Sequence, residues 1–152
     1  MKKIKEGLKV FSKNKKAYFD YEIKETIDAG IVLMGTEISS IVKKNVNFQL
    51  QGSFITIHNG KLVLLNSHIP KVDSPYSHEA ERPRDLLVTK SEKRDIVSEL
   101  KVRGITLVPL MAYIDYDKSP KMKLKIAIVR GRKDHDKREY IKERDSKRIE
   151  KL

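Results

Sequence analysis

The chain has 152 residues, enough for one ordinary domain and too few for two. It contains no cysteine and no tryptophan, which excludes a disulfide framework and thiolate metal sites and leaves the core to aliphatic residues, Phe and Tyr. Its 33 Lys and Arg against 21 Asp and Glu give a formal charge of +12, which points first to nucleic acid or an anionic surface.

The charge is unevenly placed. Residues 1–16 hold seven Lys and one Glu, and residues 130–152 hold ten basic against six acidic side chains. The segment 17–129 keeps 16 basic and 14 acidic residues, so the two ends carry +10 of the +12. No apolar run approaches the ~20 residues of a membrane span. The opening MKKIKEGLKVF has no apolar stretch behind its lysines, so a soluble, cytosolic protein is expected.

In chain order, Phe19, Tyr21 and Ile23 alternate with charged residues and predict a half-buried strand. Asp28-Ala29-Gly30 predicts a turn, and Ile31 to Met34 a short strand. Thr36 is the expected N-cap of a short helix through Ile38, Ile41 and Val42. Asn59-Gly60 between two apolar runs predicts a hairpin, because both turn positions need positive φ. Residues 70–84 read as a polar loop, followed by a strand over Leu86 to Val88. Ser91 is the expected N-cap of a second helix, ended by Gly104. Strands over 105–116 and 121–129 follow, with Pro109 at an edge or a bulge.

These elements predict a mainly β domain: a small antiparallel six-stranded barrel related to the oligonucleotide-binding fold, with two to three flanking helices. The expected organisation is a basic arm over 1–13, the barrel over 14–130 and a basic tail over 131–152. The tail has few apolar residues to bury, so it is expected to be disordered when free and to fold on a polyanion.

No reaction centre assembles. His58, His68 and His78 match no local metal-ligand spacing, and no phosphate-binding or nucleophile-elbow motif is present. The expectation is a non-enzyme with no metal and no cofactor. A general barrel for single-stranded RNA and a nuclease with dispersed carboxylates are the competing readings.

Six stretches in register resemble the small protein B family, the bacterial partner of transfer-messenger RNA (tmRNA): NKKAYFDYEI at 14–23, AGIVLMGTEISSI at 29–41, NGKLVLLNSHI at 59–69, RPRDLLV at 82–88, GITLVPL at 104–110 and KLKIAIVRGRKDHDKR at 123–138. The resemblance implies binding to the tRNA-like domain of tmRNA and its delivery to stalled ribosomes. The tail would then occupy the empty mRNA channel beside small-subunit rRNA. It also implies alanyl-tmRNA with elongation factor Tu and GTP as companions, no membrane, and a monomer bound one to one.

On the same resemblance, Asn14, Lys15 and Lys16 meet the RNA, where lysines beside an amide suit phosphate and 2′-hydroxyl contacts. Gly35 and Glu37 match a Gly-x-Glu turn; a carboxylate there would accept from a base amino group, or else serve the helix N-terminus. Lys43, Lys44 and Asn47 match a basic turn that here lacks the family's Gly and Arg. Asn66 and His68 match a stretch near the RNA. Arg82 and Arg84 match an Arg-x-Arg pair, with Glu79, Glu81 or Asp85 as alternative salt-bridge partners. In the tail, Gly131, Arg132 and Lys133, then His135, Asp136, Lys137 and Arg138, match the decoding-centre segment, His135 as a ring that stacks on a base.

Overall fold

The computed structural model describes residues 7–131. One sheet organises them, in the order β1-β6-β7-β2-β5-β4-β3, every neighbouring pair antiparallel. Its strands are β1 (Leu8–Lys13), β2 (Tyr21–Ile31), β3 (Phe54–His58), β4 (Lys61–Leu65), β5 (Arg84–Leu87), β6 (Ile105–Asp115) and β7 (Lys123–Gly131). The helices are α1 (Lys15–Asp20), α2 (Gly35–Val42) and α3 (Lys90–Leu100).

In place of the expected six-stranded barrel the structure shows a seven-stranded antiparallel sheet whose outer strands, β1 and β3, do not pair with each other. The additional strand is β1, read from the sequence as part of a basic arm. Its alternation is hidden by lysines, and pairing with β6 supplies the order that composition alone does not. β3 comes back towards β6, so the sheet is strongly curled around its core.

That core is aliphatic. Ile27, Ile41, Leu62, Leu64, Leu124 and Ile126 are among its buried members, with Phe48 as its one fully buried aromatic ring. A smaller cluster of Ala17, Val108, Leu110, Ala127 and Val129 lies under α1.

Several local expectations change. Phe19 lies in α1, and the strand begins at Tyr21. Ala29 and Gly30 form no turn: β2 runs through them, and Gly30 pairs with Lys123 of β7 and with Leu87 of β5. A Cβ on Gly30 would stand 3.3 Å from the Leu87 Cβ, so glycine admits the incoming strand where β2 changes neighbour. α3 is capped by Thr89, two residues before Ser91. Its Oγ1 accepts from Glu92 N at 3.1 Å while Glu92 Oε1 accepts from Thr89 N at 2.9 Å, a reciprocal box that Ser91 cannot form with Arg94.

The hairpin stands as expected, with Asn59 at φ 50° and Gly60 at φ 75°. Pro109 sits at a bulge, where the register with β7 slips between Pro109 and Met111. Asn14 takes up the carbonyls of that bulge: its N–H donates to Leu110 O at 2.7 Å and its Nδ2 to Pro109 O at 2.9 Å.

Candidate nucleic-acid interface

The chemistry-bearing residues fall into a buried hub and a set of exposed cations. The hub is Glu37, in the first turn of α2, with Arg84 at the start of β5. Neither side chain is exposed. Glu37 Oε2 accepts from Arg84 Nε at 2.8 Å and from Arg84 Nη2 at 2.5 Å. Oε1 accepts from Arg82 Nη2 at 2.6 Å and from Met34 N at 2.7 Å.

The carboxylate thus has four donors and no free face. Burial alone raises its pKa, but hydrogen bonds from Arg82, the Met34 amide and Arg84, together with the Arg84 charge, outweigh that and hold it below the usual carboxylate range. Glu37 is expected to accept from a base amino group or to serve the helix N-terminus; in the structure Arg82, Arg84 and the α2 terminus take up its acceptor positions. The alternative, service to the helix N-terminus, is what the Met34 bond describes. The partner of both arginines is Glu37, not Glu79, Glu81 or Asp85.

Arg84 ties more than one acid. Its Nη1 donates to Ser67 Oγ at 2.9 Å and Arg82 O at 2.9 Å, and its Nη2 to Ala80 O at 3.2 Å. The guanidinium carbon lies 5.9 Å from the centre of the Phe48 ring. One buried cation therefore fixes the segments that carry Asn47, Asn66, His68 and Arg82. Arg84 itself is fully buried in this arrangement.

His78, which matches no local ligand spacing in the sequence, joins this arrangement. It is buried, with Nε2 donating to Ile69 O at 3.1 Å and Pro70 O at 3.0 Å. Its Nδ1 is then the acceptor for the Thr36 hydroxyl, at 3.0 Å. Thr36 is therefore not the N-cap; Met34 occupies that position, and Thr36 pins the loop to α2. No spacing in the sequence signals a contact across 42 residues.

Around the hub lie exposed residues. Gly35, Lys43, Lys44, Asn47 and Asn66 are all exposed, and His68 is half-buried with Nδ1 3.7 Å from Glu81. Arg82 keeps 28% of its side chain in solvent, so it both braces Glu37 and faces outwards. The basic turn closes without the family's glycine because Asn45 takes φ 53° while Val46 N donates back to Ser40 O at 3.0 Å.

Asn14 is separate from this group. Its Oδ1 accepts from Ala17 N at 3.3 Å, capping α1, and its other polar atoms hold the Pro109 bulge. Asn14, expected beside phosphate, is buried in these contacts, while Lys15 and Lys16 lie on the exposed side of α1. Lys16 borders a cleft of about 510 Å³ that also takes in Gln49, Gln51, Tyr21 and Phe54. Replacing Asn14 with Ala removes one cap and one bulge contact, so stability should fall by about 1–2 kcal/mol. Urea unfolding followed by circular dichroism measures it.

Among the described residues no three His, Cys, Asp or Glu side chains gather to hold a metal ion, and no helix is long and apolar enough to cross a membrane. Gly131 ends β7; Arg132, Lys133, His135, Asp136, Lys137 and Arg138 lie outside the described residues.

A family model described as SmpB protein matches residues 11–151. The chain belongs to that family. It is 43% identical over 143 residues to the SsrA-binding protein of Fervidobacterium nodosum, covering 93% of each chain. The SsrA-binding protein of Trichodesmium erythraeum is 43% identical over 150 residues, which is 97% of this chain and 93% of that one. A solved structure described as "tmRNA-SmpB: a journey to the center of the bacterial ribosome" superposes with a TM-score of 0.63 at 32% identity, covering 85% of this chain and 92% of its own. The matched range takes in the hub, the exposed basic turn and the segment beyond Gly131.

Proposed function

We propose that this chain is an RNA-binding ribosome-rescue factor that binds the tRNA-like domain of tmRNA and brings it to stalled ribosomes for trans-translation. The observation that carries the reading is family membership over residues 11–151, with relatives named SsrA-binding protein. In this reading Lys15, Lys16, Lys43, Lys44, Asn47, Asn66, His68 and Arg82 meet the RNA, and Asn14, Glu37 and Arg84 position them. Alanyl-tmRNA with elongation factor Tu and GTP accompanies it, in the cytoplasm and without catalysis by this chain. The curled sheet acts as an incompletely closed barrel of the oligonucleotide-binding kind. The tail from Gly131 enters the mRNA channel, with Arg132, Lys133, His135, Asp136, Lys137 and Arg138 at the decoding centre.

The arrangement of aromatics argues against a general single-strand binder. Such proteins stack successive bases on a row of rings. Here the exposed rings Phe54, Tyr76 and Tyr116 sit on β3, in the loop before β5 and in the loop after β6, not along one face.

The test is binding of the full chain to the isolated tRNA-like domain and to an unstructured RNA of equal length across a salt series. Both should weaken as salt rises, because both release counterions. The tRNA-like domain should keep a large preference at about 150 mM salt, where exposed charges more than ~8 Å apart are screened. If the two RNAs track each other, the chain is a general RNA binder.

A further inference from the structure

The chain leaves the sheet at Gly131, and a single charge pair crosses the sheet at that exit. β7 ends at Gly131, opposite Tyr21, the first residue of β2. On its other side β7 loses its partner one residue sooner, because β6 begins at Ile105, which pairs with Arg130. The ladder therefore has no further position to offer the tail.

These last rungs are also set apart from the rest of the sheet. The β2–β7 register slips between Ile23 and Glu25, so the pairs Tyr21–Gly131, Glu22–Arg130 and Ile23–Val129 form a short terminal piece beyond the irregularity. Val129 is fully buried, but Arg130 and Gly131 are exposed. Nothing packs over the end, since a Cβ on Gly131 would meet no atom within 4 Å.

Glu22 and Arg130 are direct cross-strand partners, and Arg130 Nη2 donates to Glu22 Oε2. Opposite charges directly across a ladder hold its two strands together. The side chains are 50% and 60% exposed, so the pair contributes little to global stability. Its effect is local, on the last rungs. Glu22 is itself well anchored: its neighbour Tyr21 is the C-cap of α1 and donates its N–H to the carbonyl of Ala17, a buried residue of the smaller core cluster. A connected path thus runs from α1, with Lys15 and Lys16 on its exposed side, through Tyr21 and Glu22 to Arg130 and the root of the tail.

Resting on the rescue reading above, we propose that Glu22 is a positioning residue: its ion pair with Arg130 fixes where the tail leaves the RNA-binding domain. Removing the Glu22 carboxylate makes the chain more basic by one charge, which favours any polyanion. A loss of function in E22Q is therefore not a loss of electrostatic attraction.

The experiment compares the full chain with E22Q and with the exchanged pair E22R/R130E, each checked by thermal melting. Three quantities are read on each: amide hydrogen exchange over residues 124–131, binding to the isolated tRNA-like domain, and peptide tagging on ribosomes stalled without a stop codon. In E22Q the amides at 130 and 131 should exchange about fivefold faster, while those of Leu124 to Ile126 keep the parent rate. Binding should stay within about twofold of the parent, and tagging should fall by about the same fivefold factor as the exchange rises. The exchanged pair should return both exchange and tagging to the parent level.

Parent-like tagging in E22Q overturns the proposal, as does parent-like exchange at 130 and 131. Tagging that falls in E22Q and is not recovered by E22R/R130E also overturns it, because Arg130 then acts on the ribosome directly. Binding that falls as far as tagging overturns it too, placing Glu22 in the RNA interface. Failure of the rescue reading looks different: the parent itself then shows no tagging, and the proposal falls with that reading.

Discussion

Replacing Glu37 with Gln should destabilise the protein by about 3–5 kcal/mol, more than any other single change at the site. The amide keeps the shape and removes the charge, leaving Arg84 fully buried with no counter-ion and an NH₂ group facing its donors. For a domain of this size the melting temperature should drop by on the order of 10 °C. The double change E37L/R84M should cost less than E37Q alone, because it leaves no isolated charge in the interior. Equal melting of E37Q and the parent would show that the pair does not hold the fold.

The same pair sets an acid limit. Glu37 has a lower pKa folded than its ordinary 4.5. Its stabilisation is therefore complete above about that value and is lost as pH falls below 4.5 and through the lower native pKa. The parent should lose stability in that window, and E37L/R84M should lose less. Loss of tmRNA binding in E37Q should accompany loss of structure, since the carboxylate touches no solvent.

These effects show why the hub was only partly legible. Glu37, Arg82 and Arg84 could be singled out, but nothing local connects position 37 to position 84. The pairing arises because β5 docks against β2 at Gly30–Ile31, which brings the start of β5 beside the N-terminus of α2. An acid on a basic surface reads as a base-contacting group until burial is known. Asn14 misleads similarly: its neighbours are lysines, yet its side chain turns inwards to the bulge that Pro109 creates.

What could be read reliably were features with a short-range cause. Asn59-Gly60 needs only its own two residues to make a turn, and it does. Pro109 cannot donate to a ladder, and a bulge surrounds it. β1 failed the opposite way, since its order comes from the edge of β6 and not from its own pattern. Gly30 looked like a turn glycine because close approach by Leu87 leaves no trace near it in sequence.

Deleting residues 132–152 should separate binding from rescue. The hub, the basic turn and α1 lie within residues 7–131, so tRNA-like domain binding should change less than threefold at about 150 mM salt, where distant tail charges are screened. Peptide tagging on ribosomes stalled without a stop codon should fall to background. The deleted segment carries nine basic and six acidic residues, so its loss removes only +3 from a chain of +12. A charge change that small explains a modest affinity loss and not an all-or-none loss of tagging. A tail of equal length in which every Lys and Arg of residues 132–152 is changed to Gln then separates charge from specific contact: if tagging survives in it, the tail acts as a spacer. If His135→Ala in the otherwise intact chain also lowers tagging while binding holds, the decoding-centre segment acts through its ring. Were tmRNA binding to fall in step with tagging on deletion, the division between a binding domain and a tail that engages the ribosome would be wrong.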